Sequence, residues 1–294
     1  METRRLRLLA ELARHGSMRA VADELGVTTS TVSQQLAALA RETGAVLIEP
    51  VGRRVRLTPA GRRLAGHAVT ILAAVEAARV DLDPGADPAG TVRVAGFATA
   101  IRRSLLPVVT EVAGSHPDVR LWFFEHEPEE ALDLLAADAV DLALVYDYTL
   151  APRAFDRSVA AVPLWTTPWS LGVPAADTAR HTVADWRDSD WIVNSRNTAD
   201  EEVVRTLASL AGFEPAITHR ADSLDLVQDL VLAGLGVGLL PADLPVRPGI
   251  RRVALRSPAV LLRCYAVTQR GRGSWAPLRL LLEQLTEPPR DRSG

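Results

Sequence analysis

Apolar residues recur at helical spacing through the first 45 residues and predict short helices with one buried face. The first helix, residues 2–14, places Leu6, Leu9 and Ala13 on one side. Two further helices follow, with apolar positions at Ala20, Val21 and Leu25 in one and at Val32, Leu36 and Leu39 in the other. Gly26 lies between them, where a helix can end in the left-handed conformation without steric cost. The pattern therefore predicts a tight turn between the last two helices.

The last helix of this group is polar on the side opposite its apolar stripe. At about 100° per residue, Ser30, Gln34 and Arg41 point away from that stripe. Ser17 precedes the other helix of the pair and is predicted to cap it through its hydroxyl. Two short helices with a glycine-bearing turn and a polar outer face are typical of a DNA-binding helix-turn-helix. A helical hairpin whose polar residues merely face water is the alternative.

Residues 45–57 add a predicted β-hairpin, or wing. Ala45–Ile48 and Val55–Leu57 are its strands, and Pro50–Arg54 is its turn. The arginines available for phosphate contacts are Arg53, Arg54 and Arg56. A helix-turn-helix with a basic wing is far more specific for DNA binding than either feature alone, which weakens the helical-hairpin alternative.

A long helix is predicted after the wing. Thr58 is its expected N-cap, and Pro59 stands at its first position, where no hydrogen-bonded amide is needed. The helix can continue to about Asp83, and its apolar residues recur every three or four positions, as in a coiled-coil seam. The residues of this seam are Leu64, Ala68, Ile71, Val75, Ala78 and Leu82. Packing on its own domain is the alternative, but a long helix leaving a small domain favours pairing with a second copy.

From residue 92 onward, short apolar strands alternate with helices. The first are Val92–Phe97, Thr99–Ala113, Val119–Phe124, Pro128–Ala137 and Val140–Tyr146. A second group begins near Val162, and the apolar run Val260–Thr268 is predicted to cross back to the first. Such alternation indicates a mostly parallel sheet that helices cover on both faces.

Charge is distributed unevenly along the chain. Residues 1–80 contain 12 arginines against 7 acidic residues, whereas residues 81–294 contain 21 arginines against 29 acidic residues. A basic head on an acidic body fits one nucleic-acid-binding domain and one domain with another role. Cys264 is the only cysteine and lies in an apolar run, so we expect a buried core residue and no intrachain disulfide.

The sequence contains no catalytic motif that we recognise. The segment His126–Glu130 lacks the second histidine of a zinc-protease helix, and no nucleophile elbow or P-loop is present. We predict no metal and no cofactor. The N-terminus has no signal-peptide core, and no segment offers about 20 uncharged apolar residues. We therefore expect a soluble cytoplasmic protein that is not an enzyme and has no membrane partner.

Many residues near the N-terminus match a known family. They are Leu6, Leu9, Gly16, Ser17, Ala20, Val21, Ala22, Leu25, Val32, Ser33, Gln34, Gln35, Leu36, Leu39, Gly44, Leu47, Leu57, Thr58, Pro59, Ala60 and Gly61. On these residues, the segment 5–83 resembles the winged N-terminal domain and linker helix of bacterial LysR-type transcriptional regulators. The family often carries glutamine at the position of Thr29 and arginine at that of Pro50. We therefore expect a shifted base preference and one phosphate contact fewer.

The resemblance implies the architecture of the whole chain. The expected fold is a two-lobed α/β effector domain of the type II periplasmic-binding-protein kind, preceded by an all-α winged helix-turn-helix domain and a long linker helix. The expected domains are residues 1–58 for DNA binding, 59–89 for the linker helix and hinge, 90–161 with 266–287 for lobe one, and 162–265 for lobe two. A two-cysteine redox sensor, known elsewhere in the family, is excluded by the single Cys264.

The resemblance also implies the partners. They are double-stranded promoter DNA, a small-molecule effector and other copies of the chain, one in a homodimer or three in a tetramer. RNA polymerase is a further candidate. The residues expected to contact DNA are Ser17, Thr28, Thr29, Ser30, Thr31, Ser33, Gln34, Arg41, Arg53, Arg54 and Arg56.

Ligands of two-lobed sheets bind in the crevice beyond the carboxyl ends of strands. The segments 97–101 and 194–198 each follow a strand and lead into a helix, so their free amides would suit a small anion such as a carboxylate. Thr99, Ser195 and Thr198 could instead cap their own helices, and Arg196 is either a counter-charge or a solvent-facing side chain. The expected effector residues are Ala98, Thr99, Ala100, Ile101, His126, Tyr146, Asn194, Ser195, Arg196 and Asp222.

The favoured hypothesis is therefore a transcriptional regulator whose effector, expected to be an anionic metabolite, modulates promoter binding. One rival is a regulator whose second domain binds nothing and only assembles oligomers. Another is a two-lobed solute-binding protein or enzyme with an incidental head. The missing export signal and catalytic constellation disfavour the last rival.

Overall fold

The head of the molecule is a small helical domain with a hairpin. The computed structural model describes residues 1–51, 54–82 and 87–286. The head elements are helices α1 (Thr3–His15), α2 (Met18–Glu24) and α3 (Thr29–Thr43), strands β1 (Ile48–Val51) and β2 (Arg54–Leu57), and helix α4 (Pro59–Leu82). Val32, Leu36 and Leu39 are fully buried, and Gly26 adopts a φ of +63°. Both observations confirm the predicted helix pair and its turn.

The wing differs from its predicted bounds. Its first strand begins at Ile48 rather than at Ala45, and it pairs in antiparallel register with β2, Ile48 opposite Leu57. Leu47 lies just before the strand, with its side chain buried in the head core and its carbonyl accepting a hydrogen bond from the Thr58 amide at 3.0 Å. Residues 52–53, at the predicted turn, lie outside the described residues.

Helix α4 starts as the sequence predicts. The Gly61 amide donates to the Thr58 hydroxyl at 3.0 Å, which confirms Thr58 as the N-cap. Ala65, Ala68 and Val69 are buried against the head core that includes α1. The first half of the helix therefore does pack on its own domain, contrary to the expectation that it had little to pack against.

The second domain alternates strands and helices. Its strands are β3 (Gly90–Gly96), β4 (Val119–Glu125), β5 (Leu142–Tyr148), β6 (Val159–Pro174), β7 (Asp190–Val193), β8 (Ala216–Arg220), β9 (Val237–Pro241), β10 (Ile250–Ala254) and β11 (Leu261–Gln269). Its helices are α5 (Ala98–Ala100), α6 (Leu106–Ser115), α7 (Pro128–Ala136), α8 (Thr198–Leu210), α9 (Leu224–Leu232) and α10 (Ala276–Thr286), with 3-10 turns at Val183–Trp186 and Arg272–Ser274. A π-helical turn, Ile101–Leu105, joins α5 to α6, where one uninterrupted helix was predicted.

These strands form one sheet that serves two lobes. Its order is β4-β3-β5-β11-β6-β9-β7-β8, and β10 pairs with β6. Strand β6 pairs with β11 over its first part and with β9 and β10 over its last part, so β6 belongs to both lobes. The predicted lobe boundaries, at 161–162 and 265–266, fall inside β6 and β11.

The first part of β6 contains Pro163 and Pro168, which interrupt its apolar pattern. Proline normally argues against a central strand. The pairing with β11 shifts register between Cys264 and Tyr265, opposite Trp165 and Pro163. This bulge accommodates the proline within a long strand.

Helix α4 also contacts the second domain. The Thr70 hydroxyl donates to the carbonyl of Arg270 at 3.1 Å, directly after the end of β11. Gly271 has a φ of +86°, and a Cβ atom there would lie 2.5 Å from Thr70 Cγ2. Glycine is therefore required for this close approach between the head helix and lobe one.

Candidate DNA-binding surface and effector crevice

The start of α3 presents a row of exposed polar side chains. Thr28, Thr29, Ser30, Ser33, Gln34 and Arg41 are exposed, and Thr31 is half-buried. Thr28 is the N-cap, and its hydroxyl accepts the Thr31 amide at 3.2 Å and lies 2.8 Å from the Ser30 hydroxyl. These short side chains satisfy the first turn, while Gln34 has no hydrogen-bond partner among the described residues.

Two neighbouring positions differ from this pattern. Gln35, next to Gln34, accepts a hydrogen bond from Arg5 Nε of α1 at 2.9 Å. It therefore supports the head core rather than the outer face. Ser17 occupies the N-cap position of α2, but its hydroxyl makes no capping hydrogen bond. The predicted capping role of Ser17 is wrong, although the helix does begin after it.

The wing arginines are described only in part. Arg53 lies outside the described residues, and for Arg54 the structure describes the backbone in β2. The Arg56 guanidinium pairs with Glu49 across the hairpin, at 2.7 Å from Nη2 to Oε1. Both side chains are exposed, so this pair is weak and can open toward a phosphate.

Tyr146 marks the crevice between the lobes. It lies near the end of β5, and its ring centroid is 4.6 Å from that of Phe97, which precedes α5. On the other side it lies beside Asn197, the N-cap of α8 in lobe two. Burial raises the pKa of Tyr146 well above its ordinary value. The structure thus brings the two predicted segments, 97–101 and 194–198, to opposite sides of one buried tyrosine.

The amides of the lobe-two segment are already occupied. Asn194 Oδ1 accepts the amides of Arg196 and Asn197, both at 2.8 Å. Asp222 Oδ1 accepts the Ser195 amide at 2.9 Å, and Asn197 Oδ1 accepts the Ala199 amide at 2.8 Å. The prediction of free amides for an anion is therefore wrong at Ser195, Arg196 and Asn197. The capping alternative is also wrong for Ser195 and Thr198, because Asn197 caps α8 and the Ser195 hydroxyl bonds Asp222.

Arg196 is not a free counter-charge. Its Nε lies 2.8 Å from Asp222 Oδ2, and its Nη1 lies 3.2 Å from Glu130 Oε2 of α7. The His126 ring also contacts Glu130, with Nδ1 lying 3.2 Å from Oε2. These contacts lower the pKa values of Glu130 and Asp222 against the opposing effect of burial. Arg196 thus links lobe two to lobe one.

A second ion pair crosses between the lobes. Arg103, in the π-helical turn, lies 2.7 Å from Asp243, which follows β9 in lobe two. The guanidinium also stacks on Trp165, 4.4 Å from the ring centroid, and Trp165 Nε1 donates to Ser104 at 2.9 Å. Two ion pairs, Arg103–Asp243 and Arg196–Glu130, therefore hold the lobes together in this structure.

Sequence reasoning missed two acidic residues of the crevice. Glu127, the N-cap of α7, is buried, and its Oε2 accepts a hydrogen bond from the Tyr146 hydroxyl at 3.0 Å. Burial raises its pKa to about 7. Asp200, in the first turn of α8, has its pKa raised by burial to about 6, although the Tyr148 hydroxyl and the Asn194 amide lie close enough to lower it in part. Both residues follow the usual preference for acids at helix N-termini, which hid their position in the crevice.

Of the lobe-one segment, Ala100 is fully buried, and Ala98, Thr99 and Ile101 are half-buried. Cys264 lies buried in β11, as predicted, and burial raises the pKa of its thiol. Among the described residues, no helix is long and apolar enough to cross a membrane.

Comparison with known proteins identifies both halves of the chain. Residues 3–62 match the bacterial regulatory helix-turn-helix protein, lysR family, and residues 85–288 match the LysR substrate binding domain. The transcriptional dual regulator GltC of Bacillus subtilis (strain 168) is 30% identical over 82% of this chain and 81% of GltC. The DNA-binding transcriptional dual regulator OxyR of Escherichia coli (strain K12) is 28% identical over 99% of this chain and 96% of OxyR.

Solved structures agree with the fold. A full-length OxyR variant from Pseudomonas aeruginosa superposes with a TM-score of 0.74 at 23% identity, covering 97% of this chain and 93% of that one. Full-length CbnR complexed with its target DNA gives a TM-score of 0.53 at 23% identity, covering 97% and 99%. The winged head, the two-lobed domain and the matches to both parts lead to one conclusion: this chain belongs to the LysR family of bacterial DNA-binding transcriptional regulators.

Proposed function

We propose that α3 reads promoter DNA in the major groove. Its exposed polar residues include Ser30, Ser33 and Gln34, and an amide side chain such as that of Gln34 can bind adenine through two hydrogen bonds. Arg41 and the wing arginines would bind phosphates, which position the head without reading sequence. The complex of the relative CbnR with its target DNA supports this assignment.

The side of α4 that the head core leaves open is the proposed dimer contact. Leu64, Ile71 and Val75 are half-buried in the single chain, and Ala78 is exposed, so these four seam residues retain surface for a partner. Ala68 is fully buried within the chain and is removed from the proposed contact. Leu82 ends the helix, and its side chain lies outside the described part of the chain. Pairing through α4 would fix the distance between two recognition helices, and two such dimers would form a tetramer.

The crevice around Tyr146 is the proposed effector site. The observation that carries this proposal is the pair of inter-lobe contacts, Arg103–Asp243 and Arg196–Glu130, together with the buried polar residues between the lobes. A ligand that binds the closed and open lobes with different affinities shifts the balance between them.

A structural route exists from the crevice to the head. Strand β11 pairs with β6, the strand that both lobes share, and the residue that follows β11, Arg270, accepts a hydrogen bond from Thr70 of α4. A cavity of about 480 Å³ between the wing, α4 and Ala136–Ala137–Asp138 of lobe one leaves the head room to move. Lobe closure would therefore change the angle of α4 and with it the spacing of the paired heads.

The proposed role is regulatory rather than enzymatic. The regulators GltC and OxyR are related over most of the chain, which supports this assignment. Because promoter DNA is the proposed target, we infer that the protein works in the cytoplasm, where contact with RNA polymerase also becomes available.

The experiment is a footprint on the DNA flanking the protein's own gene, performed over a range of salt concentrations. We expect a two-fold symmetric site with half-sites on one face of the DNA. The double variant Arg103→Gln/Arg196→Gln, which removes both inter-lobe pairs, should alter the spacing or affinity of the footprint. The control Arg205→Gln removes a pair within lobe two, with Glu201, and should not. An unchanged footprint in the double variant would favour an effector domain that only assembles oligomers.

A further inference from the structure

Two buried carboxyl groups approach each other from opposite lobes. Glu127 belongs to lobe one and Asp200 to lobe two, and each raises the pKa of Tyr146. The charge of Asp200 also raises the pKa of Glu127, which places the two groups within electrostatic reach. Neither carboxyl group forms a salt bridge with any of the described residues. The crevice therefore contains two acids that form no ion pair, although the charge of Arg196 lowers the pKa of Glu127 in part.

The cations near the crevice are already engaged. Arg196 pairs with Asp222 and Glu130, and Arg103 pairs with Asp243. His126 faces Glu130. An incoming anion would therefore meet Glu127 and Asp200 without a free counter-charge among these residues, and like charges at short range repel. This electrostatic arrangement disfavours the binding of an anion next to these two carboxyl groups.

A chain of aromatic rings in the core packs beside these residues. Successive edge-to-face contacts join Phe97 to Tyr146, Tyr146 to Tyr148, and Tyr148 to Trp169, at centroid distances of 4.6, 5.6 and 5.4 Å. All four rings are buried. The negative faces of such rings attract organic cations, and their apolar bodies exclude water.

Buried polar atoms point to a ligand at this place. Trp169 Nε1 and Asn197 Nδ2 have no hydrogen-bond partner of acceptable geometry in the described chain, and their residues are 7% and 3% exposed. Asp200 Oδ1 and the Tyr148 hydroxyl are close to each other but likewise lack a bond of acceptable geometry. Buried polar atoms are almost always satisfied, so this concentration calls for an external partner.

We propose that the crevice binds a small organic molecule with a protonated amine, held between Glu127 of lobe one and Asp200 of lobe two. This inference rests on the proposed effector site and names its ligand class. The ammonium donates hydrogen bonds to both carboxylates, and an oxygen elsewhere on the ligand accepts a hydrogen bond from Asn197 Nδ2 or Trp169 Nε1. The described residues contain no group of three His, Cys, Asp or Glu side chains able to hold a metal ion. A hydrogen-bonding organic cation fits this pair better than a metal.

Such a ligand would join the lobes. Without it, two carboxylates repel across the crevice, whereas an ammonium between them attracts both. The amine therefore favours the closed lobes, which gives it the different affinities that regulation requires.

The test uses the full-length chain and three matched probes of equal length: butylamine, butyrate and 4-aminobutyrate. Thermal unfolding at pH 7.5 is followed by tryptophan fluorescence, since all six tryptophans lie beyond residue 121. We expect both amine-bearing probes to raise the melting temperature, by about 3 °C at tenfold excess over the dissociation constant, and butyrate to have no effect. A larger shift with 4-aminobutyrate than with butylamine would identify the ligand as a zwitterion.

Isosteric variants separate binding from folding. Glu127→Gln keeps an acceptor for Tyr146, and Asp200→Asn keeps the shape of the α8 turn, so both variants should fold. Each should need at least tenfold more amine than the wild type for the same rise in melting temperature. The controls Asp133→Asn and Glu202→Gln remove exposed acids from α7 and α8 and should retain the shift.

The outcomes distinguish this inference from the proposed function. A shift with butyrate alone, or amine shifts that survive in Glu127→Gln, would overturn the amine assignment while leaving an effector crevice in place. No shift with any probe at concentrations up to 50 mM would also overturn it. Amine shifts that are lost in both variants, with footprints unchanged by the amine, would support the ligand class and refute its regulatory role.

Discussion

Helix α3 and the effector crevice are both rich in polar side chains, but different partners satisfy them. On α3, Ser33 and Gln34 face solvent. In the crevice, the buried side chains of Asn194 and Asn197 accept hydrogen bonds from backbone amides. A side chain that water satisfies contributes little to folding and stays available to a partner. A buried, paired side chain is committed to the fold, because removing one partner leaves the other unsatisfied. Polar residues of the head should therefore affect binding, and those of the second domain should affect stability.

The largest expected effect is the loss of Asp141. This buried carboxylate accepts the Arg93 amide and the Arg93 Nη2, both at 2.8 Å, and also bonds Arg272. Its pKa is lowered by these partners against the effect of burial. Asp141→Ala should lower the free energy of unfolding by about 3–5 kcal/mol, because it leaves the largely buried Arg93 guanidinium without its ion-pair partner.

The measurement is urea unfolding followed by circular dichroism, which reports both domains. The control Ser33→Ala, on α3, should change the free energy of unfolding by less than about 0.5 kcal/mol. Equal losses in the two variants would refute the contrast between solvent-facing and buried polar side chains.

Replacing Glu127 should stabilise the protein at high pH, whereas replacing a buried, hydrogen-bonded acid usually destabilises a protein. Its pKa is about 7 in the folded chain, against an ordinary value of 4.5. The folded state therefore keeps a proton that the unfolded chain releases, so the free energy of unfolding falls as pH rises from about 4.5 to about 7 and levels off above that. Glu127→Gln removes the titrating carboxyl group. Its free energy of unfolding should therefore exceed that of the wild type by about 3 kcal/mol at pH 8 and equal it near pH 4.

Urea unfolding of both proteins at pH 4.5 and pH 8 checks this prediction. Asp133→Asn, on the exposed side of α7, should follow the wild-type pH dependence. Parallel pH curves for Glu127→Gln and the wild type would mean that Glu127 is ionised in the folded chain as readily as in water.

These two regions also differ in how far the sequence predicts them. The stripe Val32, Leu36 and Leu39 repeats at helical spacing, so local periodicity suffices to place α3 and its outer face. The crevice depends on contacts between residues such as Glu130 and Arg196, which are 66 positions apart, and no local pattern encodes such a pair. The strand ends predicted that the segments 97–101 and 194–198 lie close together. They did not predict that Asn194 and Asp222 accept hydrogen bonds from the amides of the second segment.

Gln34 tests whether the solvent-facing row reads bases. Gln34→Ala should cost about 1–3 kcal/mol of discrimination between the native site and a site substituted under α3, since a base-reading amide is lost. The adjacent Gln35→Ala is a matched control, because Gln35 bonds Arg5 within the head. Competition binding with the substituted sites measures both. Equal loss of discrimination in the two variants would mean that Gln34 supports the fold rather than the reading of bases.

The smallest effect concerns the exposed pair Arg56–Glu49 on the wing. Glu49 partly neutralises the arginine in the free protein, and an exposed pair of this kind is worth at most about 1 kcal/mol. Glu49→Gln should free Arg56 for a phosphate and tighten binding to all sequences by a few-fold. Arg56→Ala should weaken binding to all sequences and reduce the slope of log affinity against log salt by about 1. Filter binding from 50 to 200 mM salt would measure both slopes. If Glu49→Gln left affinity and slope unchanged while Arg56→Ala lowered them, the arginine would already leave Glu49 in the complex. If neither variant changed the slope, the wing would not contact phosphate through this residue, and α3 alone would have to hold the head on DNA.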